Sequence, residues 1–212
     1  MNPLIPSSQP SDRPLHPILV DAGSGILPEW TNANDARRKH MARVAKLLKD
    51  WARTREESPS EVTRWVAVGF LHDALRGEDH DVLRSQVDPA FRDLPGKVLH
   101  GPGVAMRLKE EGVEDAEFLH AISYHTLGSA GFGTLGLGLY AADYLEPGRK
   151  FKEGWRENRR RRAPHQLEQV VKEILSARIA YLIKRGRPLH PETVGFWNRM
   201  AEGQPWAGAS EA

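Results

Sequence analysis

No cysteine occurs anywhere in the 212-residue chain, so disulfide scaffolds, thiolate metal sites and cysteine nucleophiles are all excluded. Any chemistry must come from histidine, carboxylates and hydroxyls, and a reducing, cytoplasmic location is the expectation. A large excess of one charge is missing too. Thirty basic and 28 acidic side chains leave a net +2, which gives no general reason to expect a nucleic-acid partner, although a pI near 8.9 leaves room for a local basic patch. No apolar run approaches the roughly 20 residues of a bilayer span, and the N-terminus lacks the basic-then-apolar pattern of a signal peptide, so no membrane partner is expected. Strand signals and internal repeats are also scarce. The apolar residues recur instead at helical spacing in six or so segments, which predicts one domain of the all-α class, a helical bundle.

The N-terminal 25 residues carry Pro3, Pro6, Pro10, Pro14 and Pro17 with a single apolar patch, Ile18-Leu19-Val20, and are expected to be a loose tail. From Leu27-Pro28 onward the pattern is read as helical, with Val44, Leu47, Leu48 and Trp51 on one stripe and His40 at its base. Ser58-Pro59-Ser60-Glu61 predicts a helix start. The run that follows, Val66 to Leu71, is apolar until it ends in His72-Asp73, an imidazole and a carboxylate that are costly to bury unless paired. His80 falls in a polar turn and is assigned no role. His100 opens another amphipathic segment with Val104 and Leu108, and Phe118, Ile122 and His125 share a face on the next. His120 points away from that face.

Thr126 to Gly138 is rich in glycine, which suits either close approach of backbone to a ligand or a flexible loop. Leu135, Leu139 and Asp143 then step by four along a helix ended by Pro147. Beyond it lie Arg149, Lys150, Lys152, Arg156 and Arg159 to Arg162. Such a run is usually a solvated helix face, but arginine clusters also grip phosphates. A long helix over roughly 164–185 capped by Gly186, a short helix over 188–200 and a frayed end over 201–212 complete the reading.

His40, His72, Asp73, His100, His125 and Asp143 thus lie inward on five segments, more polar groups than a core ordinarily satisfies within itself. Together they argue for metal. Imidazole and carboxylate without thiolate suit Fe, Mn, Co, Ni or Zn, and six ligands exceed the need of one tetrahedral zinc, so two ions sharing Asp73 are expected.

The order H, HD, H, H, D resembles the signature of the HD-domain metallohydrolases. More closely, Arg37-Arg38-Lys39-His40, Leu71-His72-Asp73, Val98-Leu99-His100-Gly101, Ala121 to Gly128 (AISYHTLG) and Tyr140 to Arg149 (YAADYLEPGR) are similar to the YqeK-like family of bacterial HD hydrolases, over about residues 27–198. The resemblance implies an HD-domain helical bundle over residues 26–200 and symmetrical cleavage of diadenosine tetraphosphate to two ADP. It implies that His40, His72, Asp73 and Asp143 hold one ion and Asp73, His100 and His125 the other, with iron the foremost metal and a metal-bridging hydroxide as attacking group. It further implies Asp73 and Arg76 as catalytic residues, and Arg76, Thr126, Gly128 and Arg149 as substrate contacts. A homodimer also rests on the likeness alone. This chain has Arg76 where the family carries a lysine, and Leu135 to Leu139 where the family has a lysine on the helix. The alternatives are an HD phosphohydrolase for another nucleotide, an HD-fold di-iron oxygenase acting on a small organic substrate, and a non-catalytic module that binds RNA or an acidic partner through the arginine run.

Overall fold

A computed structural model describes residues 14–149 and 151–202, and among these residues it is all-α, with ten α-helices, two short 3₁₀ turns and no strand. The helices begin where side chains can satisfy the free N–H groups of a first turn. Helix α2 (Asp35–Thr54) is capped by Asn34, whose side chain accepts from the Arg37 amide, and α3 (Pro59–Leu71) by Ser58, which accepts from the Glu61 amide. Asp79 caps α4 (His80–Gln86) and Asp115 caps α6 (Ala116–Tyr124). Between α4 and α6 lie the two 3₁₀ turns, Pro89–Phe91 and Gly96–Val98, and then α5 (His100–Glu110). The chain closes with α7 (Thr134–Leu145), α8 (Glu153–Arg162), α9 (Leu167–Lys184) and α10 (Pro191–Glu202). None of the helices described is long and apolar enough to cross a membrane.

The first correction concerns the N-terminal region. Residues 17–23 form a helix, α1 (Pro17–Gly23), not a loose tail, and its Leu19 and Ala22 are fully buried against α3. Pro17 sits in the first turn, where its missing N–H costs nothing, and the Ile18-Leu19-Val20 patch supplies the face that anchors it. Residues 1–13 lie outside the described residues. A second correction is the start of α2, which is Asp35 and not Leu27, because Pro28 lies in a turn and Asn34 is the capping residue. At the far end, residues 201 and 202 are the last turn of α10 and not a frayed end, and residues 203–212 lie outside the described residues.

Packing of α2 on α3 places the site. Gly69 on α3 permits it, since a Cβ there would stand 2.6 Å from the Ala45 Cα, inside any carbon contact. Gly101 does the same for α5 and α6, where a Cβ would meet the Ile122 carbonyl oxygen at 2.6 Å. Around these contacts Trp65, Leu48, Leu71, Leu99, Leu108, Phe118 and Ile122 form one continuous core. A second lock is ionic. Arg64 forms a bidentate pair with Asp115 at 2.6 and 2.8 Å and reaches Glu117 at 2.9 Å, tying α3 to the start of α6.

The arginine run on α8 is neither a purely solvated face nor an open phosphate grip. Arg159 and Arg162 both pair with Glu173 on α9, at 2.7 and 2.9 Å, Arg160 pairs with Glu153, and Arg156 is buried with its guanidinium on the Tyr144 and Phe151 carbonyls. Most of that charge is spent on fixing α8 against its neighbours, leaving Arg161 exposed.

Candidate metal centre

The six groups singled out in the sequence converge at one end of the bundle. His40 projects from α2, His100 opens α5, Asp143 lies on the last turn of α7, and His72 and His125 are the residues at which α3 and α6 end. The two apolar runs therefore stop where the backbone can turn an imidazole back into the cluster. His40, His72, Asp73, His100 and His125 are all buried, and Asp143 is partly exposed.

Asp73 stands at the centre and divides its two oxygens between two sets of histidines. Oδ2 lies 3.6 Å from His40 Nε2 and 3.4 Å from His72 Nε2, whereas Oδ1 lies 2.9 Å from His100 Nε2 and 3.7 Å from His125 Nε2. Two groups able to hold a cation follow from this, His40 with His72 and Asp73, and Asp73 with His100 and His125. Asp143 Oδ1 adds to the first at 3.1 Å from His40 Nε2.

The ring orientations are set by backbone. Nδ1 of His72, His100 and His125 each faces the carbonyl oxygen three residues earlier, that of Gly69 at 2.8 Å, Lys97 at 3.0 Å and Ile122 at 2.7 Å. A carbonyl only accepts, so Nδ1 carries the proton and Nε2 of a neutral ring presents a lone pair to the cluster. This is the arrangement that hydrogen bonds from the far ring nitrogen to backbone carbonyls impose on metal-ligating histidines. It leaves Nε2 of His72 buried with no hydrogen-bond partner among the described residues, and it points the Nε2 lone pairs of His100 and His125 at each other across 3.1 Å. Lone pairs so placed call for a cation between them. The residues present therefore fit the binding of metal ions.

The electrostatics agree with an acidic centre. Burial opposes charge on Asp73, but the His72, His100 and His125 imidazoles around it hold its carboxyl well below the usual range. Burial would also lower His40, yet the Asp143 and Glu146 carboxylates beside it raise its pKa to about 9. His100 is pushed down to about 4 by burial, with the neighbouring His125 adding to the effect.

Several participants were not assigned a role from sequence. Glu146, buried just beyond α7, faces His40 Nδ1 at 3.4 Å and accepts from Arg43 at 2.6 Å and from the Gly148 amide at 2.7 Å. Burial opposes its ionisation, but His40 and Arg43 hold its pKa down at about 2. It is the carboxylate that orients His40. Arg37, one turn before His40, donates to Asp73 Oδ2 at 2.6 Å. The signal was present in both cases, Arg37 three residues before a candidate ligand and Glu146 three after one, each within one helical turn.

A pocket of about 540 Å³ opens over the cluster, lined by Asn34, Ala36, Arg37, His40, Arg76, Gly77 and Arg149. Arg76 and Arg149 thus line the same pocket as His40, and Arg149 also pairs with Asp143 at 3.0 Å. Thr126 adjoins the cluster through its hydroxyl, 3.1 Å from His125 Nε2. Gly128 is placed differently. It is buried, with a positive φ of 83°, and a Cβ there would stand 2.3 Å from the Phe196 ring, so packing of α10 accounts for this glycine. His120 lies outside the cluster, hydrogen-bonded to Ser129 at 2.9 Å, and His80 is exposed.

A family model described as the HD domain matches residues 37–183, most of the chain, and spans every candidate ligand. The chain belongs to the HD-domain family. As a family member it is a metal-dependent phosphohydrolase, with divalent-metal binding implied by the domain. Among curated proteins it is 31% identical over 139 residues to the symmetrical bis(5'-nucleosyl)-tetraphosphatase of Halalkalibacterium halodurans, covering 62% of this chain and 72% of that one. It is 30% identical over 123 residues to the enzyme of the same name from Bacillus subtilis, covering 58% and 65%. The Staphylococcus aureus enzyme of that name is 27% identical over 172 residues, 77% of this chain and 86% of that one. A crystal structure from Clostridium acetobutylicum, described as a predicted HD superfamily hydrolase involved in NAD metabolism, shares the HD-domain fold with a TM-score of 0.71 at 23% identity, over 88% of this chain and 96% of that one.

Proposed function

We propose that this HD-domain protein hydrolyses dinucleoside polyphosphates, cleaving diadenosine tetraphosphate symmetrically into two ADP. The observation that carries the reading is the pairing of a two-sided carboxylate, Asp73, with an arginine-lined pocket that shares His40 and Arg37 with its surroundings. The names of the curated relatives supply the substrate class.

His40, His72, Asp73 and Asp143 would hold one ion, and Asp73, His100 and His125 the other, iron being the metal we favour. Such ions supply Lewis acidity toward phosphate oxygens and lower the pKa of a water toward neutrality. Asp73 binds on both sides and so fixes the spacing of the two halves of the site. Arg76 and Arg149 grip the negative phosphate oxygens, with planar forks suited to bidentate contact, and hold the central anhydride over the cluster. Thr126, beside His125, adds a hydroxyl at the same edge. Glu146 keeps His40 aligned, and Arg43 balances the charge of Glu146. One water is consumed and the central P–O–P bond breaks, giving two ADP.

Protein purified anaerobically, loaded with iron and incubated with diadenosine tetraphosphate tests the reading, with Asp73→Ala alongside. ADP as sole product, absent from the variant, is the expected result. Metal-replete protein that leaves the dinucleotide intact would refute the substrate assignment. Substrate-dependent oxygen uptake would instead favour the oxygenase alternative, against which the arginine-lined pocket speaks.

A further inference from the structure

Arg37 holds a position that no role in phosphate binding explains by itself. Its guanidinium lies 2.6 Å from Asp73 Oδ2, the oxygen that faces His40 and His72, and this is its one side-chain hydrogen bond among the described residues. Its side chain is one-third exposed, 32%, and lines the pocket with Arg76 and Arg149. It stands on the first turn of α2, with its own amide fixed by the Asn34 cap, so the backbone is anchored while the long side chain can reach either way.

We propose that Arg37 is a built-in counter-cation of Asp73 that competes with the ion on the His40 side and, once displaced, joins Arg76 and Arg149 to receive the anionic substrate. The proposal rests on the reading of the cluster as a metal centre. A guanidinium at 2.6 Å occupies one of the two lone pairs of Oδ2 and sets a positive charge beside the place an ion between His40, His72 and Asp73 would take. Two cations sharing that oxygen also repel at close range, where buried charges are poorly screened. The pocket that Arg37 already lines receives the displaced guanidinium, and a third arginine free there raises the attraction for phosphate only after the cluster is loaded. Arg37 is thus a positioning residue that makes anion binding follow metal binding. The opposite role, an outer support that steadies Asp73 as a ligand, predicts the opposite sign in experiment.

The affinity of chelator-stripped, full-length protein for Zn²⁺, measured by competition with a chromogenic chelator, separates the two. Arg37→Gln removes the charge and leaves a shorter, neutral polar side chain, and Arg37→Lys keeps the charge. If Arg37 competes, Arg37→Gln binds Zn²⁺ tighter by about tenfold, the factor a charge-assisted hydrogen bond to a carboxylate carries, and Arg37→Lys stays near the wild type. Weaker or unchanged binding by Arg37→Gln overturns the proposal and leaves the metal centre standing. A general loss of folding cannot mimic the expected gain. Absence of Zn²⁺ binding in all three forms overturns the metal centre and the proposal together.

Discussion

Gly69→Ala tests whether the approach of α2 to α3 builds the site. A Cβ at this position would stand 2.6 Å from Ala45 Cα, 2.8 Å from Ala45 N and 3.1 Å from Ala45 Cβ, all on the facing helix. Carbon atoms in contact prefer about 3.5–4.0 Å, so the helices must part by about 1 Å, because the obstacle is backbone and has no rotamer to escape into. Overpacking of this kind costs about 1–3 kcal/mol, and alanine returns up to about 1 kcal/mol through helix propensity. The expected net loss is about 1–2 kcal/mol in urea unfolding. Function should suffer more, since His40 rides on α2 and His72 ends α3, with ring centroids 5.4 Å apart. Metal sites tolerate about 0.2 Å in ligand distance, so a 1 Å separation should weaken Zn²⁺ binding by at least about tenfold. Gly154→Ala is the control, since its Cβ would meet nothing within 4 Å, and it should be neutral or slightly stabilising. A Gly69→Ala protein with wild-type urea midpoint and wild-type Zn²⁺ affinity would refute the account.

Asp73→Asn should lose Zn²⁺ binding on both sides of the cluster while remaining folded, as read by chelator competition and circular dichroism. Arg76→Ala and Arg149→Ala, which remove groups proposed to hold phosphate, should raise KM by about 10–100-fold with a smaller effect on kcat, the loss of one charge-assisted contact each. Arg64→Ala should cost about 2–3 kcal/mol in urea unfolding, below the fully buried range because Asp115 is partly exposed. Arg64 outweighs burial and lowers the Asp115 pKa, so the contribution of this carboxylate is complete above its unfolded value of about 4 and is lost as pH falls through the lower folded value. The difference in urea midpoint between wild type and Asp115→Asn should therefore shrink as pH is lowered from 5 toward 2. Stripping metal should lower Tm, and at 100 times Kd the restored ion should return about 2.7 kcal/mol.

The fold class was legible because it rests on local pattern, and the same pattern singled out the six candidate groups. His40 at the base of the Val44–Trp51 stripe and Asp143 on the Leu135–Leu139 stripe are oddities that helical spacing alone exposes, and all six groups meet in the structure. Errors arose where a long-range contact decides the outcome. Helix α1 hangs on burial of Leu19 and Ala22 against α3, which its five surrounding prolines obscure. Two members of the arginine run on α8, Arg159 and Arg162, are held by Glu173 from another helix, eleven residues beyond Arg162. Gly128 belongs to a glycine-rich segment that suits ligand approach equally well, and only the Phe196 ring from α10 reveals its packing.

Charge in this protein is sorted between two tasks. On α8 and in the Arg64 lock, Arg159, Arg162 and Arg64 meet carboxylates beyond their own helix, and these pairs hold elements together. At the cluster the carboxylates Asp73, Asp143 and Glu146 meet Arg37, Arg149 and Arg43 in the same way, but they also face four histidines whose Nε2 or Nδ1 atoms crowd within 4 Å of them. Arginine alone cannot satisfy that arrangement, because imidazole lone pairs and carboxylates need cations small enough to stand between them. Two of the guanidiniums, Arg37 and Arg149, border the pocket and are partly exposed, unlike the buried Arg156. An anion entering the pocket would therefore offer both a second partner, and on the proposal above Arg37 would turn to it when metal takes its place at Asp73.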